Sequence, residues 1–327
     1  MKLIVIKSYL VPLLMLTWLS SPTYASSSPV EGLSIVASIK PVAMLVKAVV
    51  GDEVPVQVLL PANASPHEYA LKFSDLRLVK QADLVVWVGP ELEGVLVKAL
   101  KTIPLENQLQ LTQVNAMEWP GQRPDEGRHG HSHNDSHNNN DNHTDHNKQK
   151  NSQSVYQDPH LWLNPHNSMQ AVRAIAIALA NKYPEYRSVF EANASQFSEN
   201  IELLDNTIQQ KLQKVKERGF VVTHDGYRHF VAYYGLNQLS AIQLSSGASR
   251  GARHYGDIVA LGNQVACVFT EPQLNNKAAT QLSGKLGANQ KELDVIGRKI
   301  PLDQQSYVTF FQAFSDTFVE CLANKGS

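Results

Sequence analysis

The sequence predicts an α/β fold in which one long helix joins two similar lobes. Short apolar runs bounded by turn residues alternate with segments of helical periodicity, and this alternation indicates successive βαβ units. It occurs once between residues 33 and 101 and again between residues 219 and 322. Two α/β lobes follow from the repetition. The length of 327 residues also fits two units, at roughly 100 to 200 residues per domain.

These patterns assign the elements of each lobe. In the first lobe the predicted strands are 33–39, 54–60 and 84–88, and the predicted helices are 41–50, 74–81 and 91–101. In the second lobe the predicted strands are 220–223, 239–244, 267–270 and 293–296, and the predicted helices are 226–234, 255–263, 275–286 and 306–322.

The segment between the lobes has the strongest helical periodicity in the chain. It begins near Pro184, which suits a first helical turn, and ends near Gly219, which suits a C-terminal cap, so it predicts a rigid helix of roughly 30 residues or about 45 Å. A coiled coil is the alternative, but the position between two α/β units favours a helix packed along both lobes. Apolar residues recur on one face at Phe190, Ala194, Phe197, Ile201, Leu204, Ile208, Leu212 and Val215.

The N-terminus predicts export. A basic start at Lys2 and Lys7, an apolar stretch over 10–19 and small residues at 23–25 are typical of a cleaved signal peptide at residues 1–25. The mature chain then divides into an N-terminal lobe at 26–183, the linking helix at 184–218 and a C-terminal lobe at 219–327. Because no cysteine for lipid attachment lies near the cleavage site, we expect a free protein in the periplasm of a Gram-negative bacterium.

The charge balance excludes one class of function, and the cysteine content predicts one cross-link. The 29 basic and 30 acidic residues form no basic stripe, so nucleic-acid binding is not expected. Cys267 and Cys321 are the only cysteines. In an oxidising compartment they predict a disulfide, with two buried free thiols as the alternative.

A histidine-rich segment interrupts the first lobe. Residues 121–153 contain almost no apolar side chain and predict a solvated, disordered loop. Imidazole suits zinc, copper and nickel, so the segment can bind such ions loosely through interchangeable sets of ligands. Half of the 12 histidines of the chain lie here, at His129, His131, His133, His137, His143 and His146.

Three other histidines are the candidate ligands of a specific metal site. His67 follows the strand that ends at residue 60, His160 lies in the segment DPHLWLNP (158–165), and His224 ends a predicted strand. Ligands in α/β folds bind at such strand ends. A single histidine there more often has a structural role, but three in one chain with a histidine-rich loop favour a metal site. Asp294 is a candidate fourth ligand, and water is the alternative.

The motifs around these residues resemble one family, the solute-binding proteins of bacterial zinc and manganese ABC importers. The resemblance covers about 30–322 and is carried by ASPHEY (64–69), DPHLWLNP (158–165), VVTHDGYRHF (221–230), CVFTEPQ (267–273) and LDVIG (293–297).

The resemblance implies a metal ion in the cleft between the two lobes, bound by His67, His160 and His224. In the manganese branch of the family a carboxylate stands at the position of His224, and an aspartate at the position of Asp294 completes the site. The histidine at 224 therefore places this chain in the zinc branch, since three imidazoles suit tetrahedral Zn²⁺.

The expected function is capture of Zn²⁺ as transported ligand, with no catalytic cofactor, and its delivery to an ABC permease. We expect a monomer. The histidine-rich loop could gather zinc, sense excess metal or receive zinc from a periplasmic zinc chaperone, and the sequence does not rank these roles. A manganese receptor of the same family, a zinc hydrolase and a metal buffer acting only through residues 129–146 are the alternatives. Against the hydrolase, the sequence has no HExxH motif.

Overall fold

The computed structural model describes residues 32–67, 69–121, 158–244 and 248–323. The predicted signal peptide and all six histidines of the predicted loop lie outside these residues. Within the four ranges, no helix is both long and apolar enough to cross a membrane.

The first lobe contains a parallel four-stranded sheet with the strand order β2-β1-β3-β4. Ile35 of the inner strand β1 pairs with Val56 of β2 on one side and with Leu84 of β3 on the other. Each crossover carries a helix, as the βαβ pattern predicts. The elements are β1 (Ile35–Ala37), α1 (Lys40–Val50), β2 (Val56–Val58), α2 (Phe73–Gln81), β3 (Leu84–Trp87), α3 (Val97–Leu100) and β4 (Gln108–Gln110).

The second lobe repeats this architecture. Its parallel sheet has the order β6-β5-β7-β8, so β5 and β7 are central. Two similar α/β lobes are thereby confirmed. The elements are β5 (Gly219–His224), α6 (Arg228–Tyr234), β6 (Gln238–Gln243), α7 (Gly251–Ala260), β7 (Val265–Thr270), α8 (Lys277–Leu286), β8 (Asn289–Glu292) and α9 (Ser306–Ala323).

Two helices occupy the region between the sheets, where the sequence predicts one. The helices α4 (Pro165–Lys182) and α5 (Arg187–Leu212) pack against each other. The Asn164 side chain caps α4 by accepting a hydrogen bond from the His166 backbone N–H at 2.8 Å. The helix α5 is shorter than predicted because a 3-10 turn precedes it and turns follow its last residue.

Two predicted elements, one strand and one helix, are wrong. The strand expected at 293–296 lies instead at β8, whose sequence Asn-Gln-Lys-Glu is largely exposed and carries no apolar pattern. The helix expected at 91–101 is reduced to a 3-10 turn at Gly94–Leu96 followed by α3, which has only four residues.

The two lobes share a large apolar core, and a second, smaller apolar cluster lies within the second lobe. A single cluster of buried side chains includes residues of both sheets together with α1, α4, α5 and α9. The aromatic face of α9 is central to it, since Phe318 stacks on Phe230 with ring centroids 4.9 Å apart. A disulfide joins Cys267 in β7 to Cys321 in α9, with Cα atoms 5.9 Å apart. This continuous core packs the two sheets and the helices between them into one unit.

Candidate metal centre

Three histidines meet where the lobes face each other. His67 lies in the loop after β2, His160 precedes the 3-10 turn Leu161–Leu163, and His224 is the last residue of β5. One nitrogen of each ring lies within 4.8 Å of the corresponding atoms of the other two. Among the described residues, these three form the only such group of potential metal ligands.

A buried carboxylate orients His160. The Nδ1 atom of His160 lies 2.6 Å from Asp158 Oδ1, and the His160 backbone N–H donates to the same oxygen at 3.1 Å. Burial raises the pKa of Asp158, but the His160 ring outweighs burial and holds that pKa well below its usual range. Since the carboxylate is ionised, it accepts a hydrogen bond from the protonated Nδ1 of His160. The lone pair of a neutral His160 ring is then on Nε2.

His224 is oriented in the same way by a second carboxylate. Its Nδ1 atom hydrogen-bonds to Glu271 Oε1, which also accepts a hydrogen bond from the Tyr227 hydroxyl at 2.5 Å. Burial lowers the pKa of His224, but the Glu271 carboxylate reverses this and raises it above the ordinary value. With Nδ1 facing Glu271, the Nε2 atom of His224 also points a lone pair into the centre when the ring is neutral.

The ring nitrogens create a strong demand for a cation. The Nε2 atoms of His160 and His224 are 3.4 Å apart, so when both rings are neutral with Nδ1 protonated, their Nε2 lone pairs face each other without a proton between them. The Nε2 atom of His67 is buried and has no hydrogen-bond partner. Burial first, and then the neighbouring His160 and His224, lower the pKa of His67 to about 3, so this ring stays neutral. Such an arrangement fits a metal ion.

The walls around the three rings are narrow and partly apolar. Pro66, Leu274, Val295 and Ile296 line the same pocket as the histidines. Backbone at Gly226 also approaches closely, since a Cβ atom there would overlap the His224 ring and lie 3.0 Å from His160 Cε1. The centre therefore has room for a small ion and little else.

Asp294 lies outside the group of three. Its Oδ1 atom accepts hydrogen bonds from the backbone N–H groups of Ile296 at 3.1 Å and Gly297 at 3.0 Å. Its Oδ2 atom accepts from the Arg298 N–H at 2.8 Å. Both oxygens thus stabilise the turn after β8.

Two carboxylates orient the histidines, and the sequence patterns do not predict either of them. Asp158 stands two residues before His160, and Glu271 directly follows β7, so each position carried a signal: an acid beside a ligand or at a strand end. The burial that distinguishes them from surface acids, 1% exposure for Asp158 and 2% for Glu271, is visible only in the folded chain.

Comparisons with known proteins find one family of similar sequence. The sequence model of a family described as "Zinc-uptake complex component A periplasmic" matches residues 35–321. The high-affinity zinc uptake system protein ZnuA of Haemophilus ducreyi is 38% identical over 295 residues, which are 90% of this chain and 94% of that protein. The protein of the same name from Haemophilus influenzae is 33% identical over 333 residues, covering 93% and 96%.

Solved structures share the fold. A crystal structure of ZnuA has a TM-score of 0.71 and 24% identity, covering 89% of this chain and 99% of that one. The periplasmic zinc-binding protein TroA of Treponema pallidum has a TM-score of 0.70 and 19% identity, with coverage of 89% and 99%.

Proposed function

The chain belongs to the family of periplasmic zinc-uptake component A proteins, and from that premise we propose that it captures Zn²⁺ in the periplasm and delivers it to the permease of an ABC importer. One observation carries the proposal: His67, His160 and His224 direct three ring nitrogens into one buried pocket. Three neutral imidazoles are a ligand set that zinc accepts readily, with water in the fourth position.

The two carboxylates give the centre its charge balance. Asp158 and Glu271 each accept a hydrogen bond from the Nδ1–H of one of the proposed ligand histidines, which fixes the ring and makes its other nitrogen a better donor to a metal. Together they offset the two positive charges of a bound ion without touching it. The site thus binds a divalent cation as an almost neutral unit.

Transport requires no chemistry on the ion, and the carboxylates agree with that role. A zinc hydrolase needs a general base beside the metal-bound water. Asp158 and Glu271 are instead engaged by histidine Nδ1 atoms. We therefore favour a receptor over the hydrolase. Zinc is its transported ligand, the permease is its partner, and the mature chain acts as a monomer.

The function can be tested on the mature chain with residues 122–153 deleted. We expect one tightly bound zinc per chain in a competition titration, and its loss in each of His67→Ala, His160→Ala and His224→Ala. His166→Ala is the matched control, since His166 lies outside the group of three ligands and should leave zinc binding unchanged.

Two results would contradict the proposal. If tight binding disappears with residues 122–153, the protein is a buffer acting through the deleted histidines. If it survives all three histidine substitutions, zinc binds elsewhere. A manganese receptor would show a manganese affinity comparable to that for zinc in the same titration.

A further inference from the structure

Asp294 precedes two residues that line the metal pocket, although it is not one of the three proposed ligands. The two residues that follow it, Val295 and Ile296, line the pocket that contains the histidines. A carboxylate on the segment that lines the pocket would be drawn towards a divalent cation unless other groups held it.

Gln273, which lines the pocket, hydrogen-bonds to the Asp294 carboxylate. Its Nε2 atom donates to Asp294 Oδ1 and to the Ala62 carbonyl oxygen, both at 3.2 Å. Both acceptors are oxygens, so the amide cannot be turned the other way without placing Oε1 against them. Gln273 also lines the pocket itself, and its Oε1 atom is buried without a hydrogen-bond partner.

These bonds join three segments at the centre. Ala62 belongs to the loop that carries His67, Gln273 lies two residues after Glu271, and Asp294 begins the turn after β8. With the Gln273 amide and three backbone N–H groups around it, the Asp294 carboxylate has four donors inside the protein. A metal ion would have to replace these bonds to recruit it.

We propose that Gln273 is a specificity-determining residue, which selects zinc over manganese by holding Asp294 away from the metal ion. Manganese prefers more oxygen ligands, whereas zinc is satisfied by three imidazoles and water. Release of Asp294 would add an oxygen ligand and reduce the advantage of zinc. The inference rests on the proposed function, because it concerns the ion bound by the same histidines.

The experiment compares the native chain with Gln273→Met, which keeps the side-chain length and removes both N–H donors. Zinc and manganese dissociation constants are measured by competition titration. We expect the ratio of the manganese dissociation constant to the zinc dissociation constant to fall about 10-fold or more. Substitution of residues that support metal ligands changes metal affinity on this scale. In Gln273→Met combined with Asp294→Asn the ratio should return towards the native value, since the added oxygen ligand is lost.

Two controls separate selectivity from folding. Gln170→Met, on α4 and outside the pocket, should leave the ratio unchanged. Asp294→Asn alone should leave the visible absorption spectrum of bound Co²⁺ unchanged, because Asp294 is not a ligand in the native chain. The spectrum remains informative if Gln273→Met does not fold.

The outcomes are distinct. A ratio within about twofold of native in folded Gln273→Met, or a Co²⁺ spectrum altered by Asp294→Asn, would overturn this inference alone. A native chain without tight zinc binding would overturn the proposed function and this inference with it.

Discussion

At the scale of single residues, Gly226 shows how little space surrounds the proposed metal ligands. It follows His224 by two positions, and a Cβ atom there would overlap the ring nitrogen of that ligand. We expect Gly226→Ala to lower zinc affinity about 10- to 100-fold by displacing the ring, with the fold retained. Competition titration measures the affinity, and circular dichroism checks the fold.

Gly256→Ala is the matched control for this substitution. Gly256 lies in α7, and a Cβ atom there meets no other atom within 4 Å. This variant should bind zinc as the native chain does. Equal affinities for the native chain and Gly226→Ala would show that His224 does not need its present position.

Glu93 is a buried acid remote in sequence from the ligands. It lies under the carboxyl ends of β1 and β3 and accepts hydrogen bonds from Ser38 Oγ and from the Gly89 N–H at 2.9 Å. Burial raises its pKa from 4.5 to about 7, against the effect of these donors. The shift corresponds to about 3 kcal/mol.

A pH-dependent loss of stability follows from Glu93. The unfolded chain releases the Glu93 proton near pH 4.5, whereas the folded chain keeps it until about pH 7. The group therefore lowers the free energy of unfolding as pH rises from 4.5 to 7, and the loss persists above that range. Between pH 5 and pH 8, we expect the free energy of unfolding of Glu93→Gln to fall by less than that of the native chain. Urea unfolding of both proteins at the two pH values measures this, and parallel declines would contradict it.

Residue chemistry made the three histidines predictable but not their orienting partners. An imidazole at a strand end is informative by its type, because few side chains bind zinc. Aspartate and glutamate are common on surfaces, so Asp158 and Glu271 become distinctive only through burial beside a ring. Asp294 is a candidate ligand by its position in the sequence. Its hydrogen bonds to the backbone N–H groups of residues 296–298 depend on a turn that the sequence pattern does not predict.

At the scale of elements, the central strands were predictable, whereas two of the four edge strands, β4 and β8, were not. The residues of β1 and β3 are buried and apolar throughout, so they form clear runs. The edge strands β4 and β8 have the sequences Gln-Leu-Gln and Asn-Gln-Lys-Glu. They are held by backbone pairing to one neighbour, which leaves no apolar pattern.

The helix α4 was missed for a related reason. Several of its buried positions are small, including Ala171, Ala176 and Ala180, which lets α4 pack closely on its neighbours. Alanine contrasts weakly with polar residues, so the apolar face is faint in the sequence.

The disulfide links β7 to α9 within the second lobe. Cys267 and Cys321 are separated by 54 positions, and a loop of this length stabilises the folded chain by about 4 kcal/mol in the chain-entropy model. We expect Cys267→Ala with Cys321→Ala to lower the free energy of unfolding by up to this amount. Zinc affinity should stay near the native value, because neither cysteine lines the metal pocket.

Urea unfolding and zinc titration of the double variant test the two parts separately. The native chain under reducing conditions is the matched comparison, and it should unfold like the variant. A large loss of zinc affinity without a loss of stability would mean that the cross-link acts on the metal centre.

At the scale of the whole molecule, the metal centre depends on how the two lobes dock. Each lobe can be predicted from its own pattern, but the contact between them rests on a core in which α1 and α9 pack on the neighbouring helices α4 and α5, and these three parts are distant in sequence. The α5 helix was expected to join the lobes, and the structure adds the helix α4 packed against it. The meeting of His67 with His224 is a product of this packing.

Zinc should therefore stabilise both lobes together. His67 extends from the first sheet and His224 from the second, so a bound ion adds a contact across them that the unfolded chain lacks. At a free zinc concentration of 100 times the dissociation constant, we expect the free energy of unfolding to rise by about 2.7 kcal/mol. Hydrogen exchange of the amides in β1 and β5 measures the effect in each lobe. Equal slowing in both sheets, absent in His160→Ala, is the expected result, since the shared core makes the lobes unfold as one unit. Slowing confined to β5 would show that zinc binds to the second lobe alone and that the lobes unfold independently.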